Sequence, residues 1–80
     1  MSIKILGVGC SVCQSMYNTV TQIVACEHME AEVEYVTDID KILSYGVLST
    51  PALVINDRVV MHGYRGAKKI ERALREVNQM

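Results

Sequence analysis

Between residues 3 and 12 the chain changes its periodicity, and that change limits the folds open to it. IKILGV (3–8) is a short, nearly continuous apolar run rich in β-branched residues, the pattern of a buried strand. From Ser11 to His28 the apolar side chains recur at helical spacing instead. Val12, Met16, Val20, Ile23 and Val24 form one stripe, with Gln14, Asn18 and Gln22 elsewhere on the wheel. Ser11 suits an N-cap, so this helix is expected to begin inside the segment GVGCSVC (7–13). AEVEYV (31–36) then alternates Ala31, Val33 and Tyr35 with Glu32 and Glu34, a second strand with one solvated face. Strand, helix and strand in that order demand a right-handed parallel crossover.

The rest of the chain adds an antiparallel part. Thr37 and Asp38 can cap a short helix, IDKILSYG (39–46), closed by Gly46. Ala52–Ile55 and Arg58–Met61 are two short apolar runs joined by Asn56-Asp57. Both joining residues tolerate positive φ, so a tight hairpin is expected. After Gly63 and Gly66, AKKIERALREV (67–77) places Ala67, Ile70, Ala73, Leu74 and Val77 on one face of a last helix. The order β-α-β-α-β-β-α gives an α/β fold, a four-stranded mixed sheet with helices on its faces. Eighty residues leave no room for a second core, so residues 1–80 are expected to be a single domain.

Composition narrows the function. The net charge of −1 is unevenly spread: residues 1–45 set Lys4 and Lys41 against six acids, and residues 46–80 set six bases against three acids. With no Phe, no Trp and a near-neutral total, the chain does not have the basic, aromatic-rich make-up expected of a nucleic-acid binder. The basic C-terminal part reads as a solvated helix face. No apolar run approaches the roughly 18 residues of a membrane span. The start MSIKILGVG has no basic-plus-apolar segment with a cleavage site, so a cytoplasmic protein is expected. Three cysteines are too few, and odd in number, for a secreted disulfide scaffold.

Cys10 and Cys13 are therefore the residues to explain. Cys10 falls where the first strand ends, and Cys13 about one turn into the helix. First-turn amides lack internal partners and the helix dipole is positive there, so a thiolate on Cys10 is stabilised. The spacing also suits a disulfide, with Cys10 as the exposed nucleophile and Cys13 as the nearby, shielded resolver. Structural zinc would need further ligands. Of the remaining candidates, Cys26, His28 and His62, the first two lie about 20 Å away along the helix at 1.5 Å per residue and cannot join the pair. Structural zinc is not expected, and two-coordinate soft-metal capture by the pair stays open. Cys26 reads as a small buried hydrophobe, and Met16, Met29 and Met61 as core fillers. Gly7-x-Gly9 lacks the third glycine of a dinucleotide fingerprint, since Val12 stands there; it reads as a sharp turn that lets a partner approach Cys10. Thr50-Pro51 holds the chain's only proline, and on its own an X-Pro bond is usually trans, as on an edge strand.

Taken together, a CxxC pair at the first helix start, Asn18 a few residues on, and STPALVI opening the hairpin resemble the thioredoxin/glutaredoxin superfamily. The likeness is strongest to the small prokaryotic thioredoxin-like proteins known as redox-active disulfide proteins, and it covers the whole chain. It implies a cis Thr50-Pro51 bond facing Cys10 and Cys13, with Thr50 pairing its backbone to an extended substrate segment. Substrate contacts are expected from Thr50, Pro51, Gly9, Ser11 and Val12. There are departures from the pattern. Ser11-Val12 replaces the usual Gly-Pro, and Gly9 replaces an aromatic residue. Lys4 stands where thioredoxins bury an acid that helps deprotonate the second thiol, so no such role passes to it. His62-Gly63-Tyr64-Arg65 matches the glutathione-binding segment of glutaredoxins only loosely. His62 and Tyr64 follow the hairpin, at the expected border of the active face; His62 reads as an ordinary exposed or core histidine, and Tyr17, one turn beyond Cys13, as packing.

The resemblance implies a thiol-disulfide oxidoreductase that reduces protein disulfides. A thioredoxin-reductase-type electron donor would restore its dithiol; no cofactor, metal, nucleic acid or membrane is expected. The rival reading is a soft-metal-binding module or metallochaperone built on the same CxxC. Heavy-metal-associated modules, however, run β-α-β-β-α-β, an order that the proline and terminal helix here contradict.

Overall fold

In the computed structural model, which describes residues 1–9, 11–47 and 50–78 (Asn78 by its backbone alone), the first apolar run forms β1 (Ser2–Leu6). The remaining elements are α1 (Ser11–Cys26), β2 (Glu32–Val36), α2 (Ile39–Ser44), β3 (Ala52–Ile55), β4 (Arg58–His62) and α3 (Ala67–Asn78). The element order is the one the periodicities imply. The strands line up as β2-β1-β3-β4, with β1 parallel to β2 and antiparallel to β3, and β3 antiparallel to β4.

Strand alternation divides the core between the two faces of this sheet. Ile3, Ile5, Leu53, Ile55 and Met61 face Met16 and Val20 of α1 and Ile70 and Leu74 of α3. Leu6, Ala52 and Val54 face the other way, against Val36, Val47 and Ile42 of α2. All four residues of β3 are buried, as befits an interior strand covered on both sides. The short helix α2 is held at its start by the Asp38 carboxylate, which accepts from the Asp40 amide at 3.0 Å. Asn56 and Asp57 take φ of 50° and 66°, the left-handed pair that a two-residue hairpin needs. The register then slips between Leu53↔Met61 and Val54↔Val59, so Val60 is the extra residue of a bulge and points outward.

Three expectations are corrected. The first strand ends at Leu6; Gly7 keeps one further rung, its amide donating to the Val36 carbonyl at 3.0 Å, but Val8 is 58% exposed. Val12, assigned to the apolar stripe of α1, is 46% exposed. Cys26, expected to be buried, is exposed. The last two share a cause. At about 100° per residue, Val12 lies about 70° and Cys26 about 110° from the centre of the buried face made by Cys13, Met16 and Val20, so both stand at or beyond its edge. That buried face runs from Cys13 at the start of α1 through Met16 to Val20.

Candidate functional site

The segment GVGCSVC joins the end of β1 to the start of α1. Cys10, the expected nucleophile, lies outside the described residues. Cys13 is in the first turn of α1, fully buried and disulfide-bonded, while Cys26 at the far end of the helix is free. What brings Cys13 so close to the sheet is Gly7. A Cβ on Gly7 would stand 2.7 Å from the Cys13 Cβ and 2.8 Å from its Sγ. Only a residue without a side chain lets the helix start descend onto the strand end here. The Gly7-x-Gly9 pair therefore has two separate tasks. Gly7 makes room for Cys13, and Gly9, with φ +89°, turns the chain in open space.

Around this buried sulfur the described neighbours are exposed: Val8, Gly9, Ser11 and Val12. The helix opens at Ser11 itself, and its first turn carries no acidic side chain. The positive end of the α1 dipole is thus not offset by a local carboxylate.

The Thr50-Pro51 bond is cis, as the resemblance implies. Pro51 is buried and Thr50 half-buried. Pro51 does not lie on a sheet edge; it immediately precedes the interior strand β3, and its carbonyl accepts from the Gly63 amide at 2.7 Å. The antiparallel register Leu6↔Ala52, continued by one position, sets residue 51 beside residue 7. The proline and the start of the cysteine segment therefore share one end of the sheet. His62 pairs with Ala52 at that end and is exposed. Tyr64 serves as a brace, its hydroxyl 2.8 Å from Thr19 Oγ1 on α1.

Lys4 points elsewhere. Its ammonium donates to the Tyr45 hydroxyl at 3.2 Å and lies 3.8 Å from Asp57 in the hairpin turn. The Tyr45 hydroxyl, then Asp57 and Glu34, hold its pKa above the ordinary lysine value. Among the described residues no charged side chain is buried, so none of them supplies a buried acid or base to Cys13.

Tyr35 is the residue that sequence reasoning passed over. It appeared only as a dry-face position of AEVEYV, although a buried tyrosine needs a partner for its hydroxyl. In β2 it pairs with Ile5, and its ring lies 5.3 Å from that of Tyr17 at an angle of 36°. Its hydroxyl is buried without a hydrogen-bond partner among the described residues. The same Cβ position on Gly7 that would touch Cys13 lies 3.3 Å from this oxygen.

Among the described residues no three His, Cys, Asp or Glu side chains gather where they could hold a metal ion. No helix among them is long and apolar enough to cross a membrane.

Comparison with known proteins bears on the family and the fold. The model of a family described as "Thioredoxin domain" matches residues 1–75. A thioredoxin of Methanocaldococcus jannaschii is 34% identical over 61 residues, 76% of this chain and 70% of that protein. A thioredoxin of Methanothermobacter thermautotrophicus is 29% identical over 69 residues, 86% of this chain and 90% of that protein. Among solved structures, thioredoxin 1 of the thermophilic eubacterium Thermosipho africanus superposes with a TM-score of 0.61 at 23% identity, covering 98% of this chain and 99% of that one.

Proposed function

The chain belongs to the thioredoxin domain family and is a protein-disulfide oxidoreductase of that kind; we propose that Cys10 and Cys13 are its working dithiol. The Cys10 thiolate, favoured by the amides that open α1, attacks one sulfur of a substrate disulfide and expels the other with its electron pair. Cys13 then loses its proton and attacks the Cys10 sulfur. The mixed disulfide breaks, its electron pair leaves with the substrate sulfur, and that sulfur takes up a proton from solvent. Two electrons have passed to the substrate, and Cys10 and Cys13 are left joined.

The observation that carries this reading is Cys13 itself: disulfide-bonded, fully buried and seated on Gly7, in the first turn of a helix whose approach is exposed. A resolving thiol must be out of reach of solvent oxidants yet beside the nucleophile. Gly9, Ser11, Val12, Thr50 and Pro51 form the substrate surface of this proposal. The half-buried Thr50 offers its backbone to an extended protein segment. Val8 and Val12 lend apolar area next to it. The partners are protein disulfides and a thioredoxin-reductase-type donor. The site works in the cytoplasm as one thioredoxin-like domain over residues 1–80, with no cofactor.

Reduction of insulin disulfides by dithiothreitol tests the assignment. The native chain should accelerate it and Cys10→Ser should not. Equal rates for the two proteins would overturn the proposal, and stoichiometric retention of a soft metal by both cysteines would put the metallochaperone reading in its place.

A further inference from the structure

Resolution of the mixed disulfide requires Cys13 to give up a proton inside the protein, and among the described residues no buried charged group is available to help it. A buried hydroxyl is. The Tyr35 oxygen is shielded from solvent and has no hydrogen-bond partner among the described residues, an arrangement that disfavours whichever state leaves it so. One point in space, the missing Cβ of Gly7, lies 2.8 Å from Cys13 Sγ and 3.3 Å from that oxygen. The two atoms are thus no farther apart than those lengths laid end to end, and no side chain on Gly7 separates them.

Resting on the dithiol reading above, we infer that the Tyr35 hydroxyl donates a hydrogen bond to the Cys13 thiolate as it forms and so favours the resolving step. A disulfide sulfur is a weak acceptor and a thiolate a strong one, so the hydroxyl gains its partner when Cys13 ionises. Tyr35 neither gains nor loses a proton. The Cys13 proton passes to solvent, the Cys10–substrate bond breaks as the Cys10–Cys13 bond forms, and the electron pair departs on the substrate sulfur. The contact of the Tyr35 ring with Tyr17 holds the hydroxyl in place.

Reduced protein reacting with 5,5′-dithiobis(2-nitrobenzoate) separates the two steps, because attack by Cys10 releases one coloured thiolate and resolution by Cys13 releases a second. Cys26→Ser serves as the background, removing the exposed third thiol. In that background Tyr35→Phe, which keeps the ring, should slow the second release about tenfold near neutral pH. Its rate–pH curve should be displaced about one unit to the alkaline side with an unchanged plateau, since a tenfold change in proton affinity is one pH unit. Tyr17→Phe should leave the curve where it is. An undisplaced curve for Tyr35→Phe overturns the inference, and so does a lowered plateau without displacement, which marks a packing role. If the Cys26→Ser parent releases no second equivalent at any pH, it is the dithiol assignment that fails.

Discussion

Gly7→Ala perturbs the one close approach on which the site depends. The added carbon would stand 2.7 Å from the Cys13 Cβ and 2.8 Å from its Sγ, roughly 1 Å inside ordinary contact distance. Neither atom can swing away cheaply, since one belongs to the helix stem and the other is a fully buried, disulfide-bonded sulfur. Overpacking of this kind costs about 1–3 kcal/mol. Against it stands a gain of about 0.4–1 kcal/mol from stiffening the unfolded chain, because Gly7 is not among the positive-φ residues. The net loss is about 1–2 kcal/mol. For a domain of this size each kcal/mol moves Tm by about 4–8 °C, so a fall of about 4–16 °C is expected in circular-dichroism melts. Gly9→Ala is the comparison: its Cβ meets nothing within 4 Å, and its cost comes only from φ +89°. A Gly7→Ala protein that melts at the wild-type temperature or above would refute the claim that this glycine sets the depth of Cys13.

Further outcomes follow from the packing and the charges. Leu74→Ala empties a fully buried position between α3 and the sheet and should cost about 2–5 kcal/mol in denaturant unfolding. Arg75 joins α3 to Glu27 just beyond α1 and to Glu71 on its own helix; Arg75→Ala should cost less than about 1 kcal/mol, a loss that fades in roughly 1 M salt. Because its folded pKa is raised, Lys4 adds stability that is complete below the ordinary lysine range and is lost as pH rises through the raised value. Wild-type Tm should therefore fall above about pH 10, and Lys4→Met should flatten that fall.

Much of this fold is legible in the sequence because each element carries its own local signal. The two-residue Asn56-Asp57 turn declares the hairpin, and positive φ at both residues bears it out. The Asp38 cap and the stripe Ile70–Leu74 do the same for α2 and α3. What is not legible is where tertiary neighbours stop. Val12 and Cys26 stand beside the apolar stripe on the helical wheel, yet the face that is actually buried centres on Cys13, Met16 and Val20 and leaves both in solvent. At Val12 the apolar residue lies beside the cysteine segment, where periodicity cannot distinguish a core position from a substrate contact. Gly7 and Tyr35 are hidden for another reason. Their importance is a distance to Cys13, and distance between segments 7, 13 and 35 exists only once β1, α1 and β2 are packed. The cis state of Thr50-Pro51 came from family resemblance, since proline chemistry alone favours trans.

The account rests on a dithiol made by Cys10 and Cys13, and a mass-resolved redox titration reads it directly. The wild-type chain is equilibrated at stepped glutathione potentials, alkylated, and the label at each cysteine is counted. The expected result is one two-electron transition, nearer about −270 mV than about −120 mV, in which Cys10 and Cys13 lose their labels together while Cys26 is labelled throughout. Labelling of Cys13 at every potential, or a bridge that includes Cys26, contradicts it.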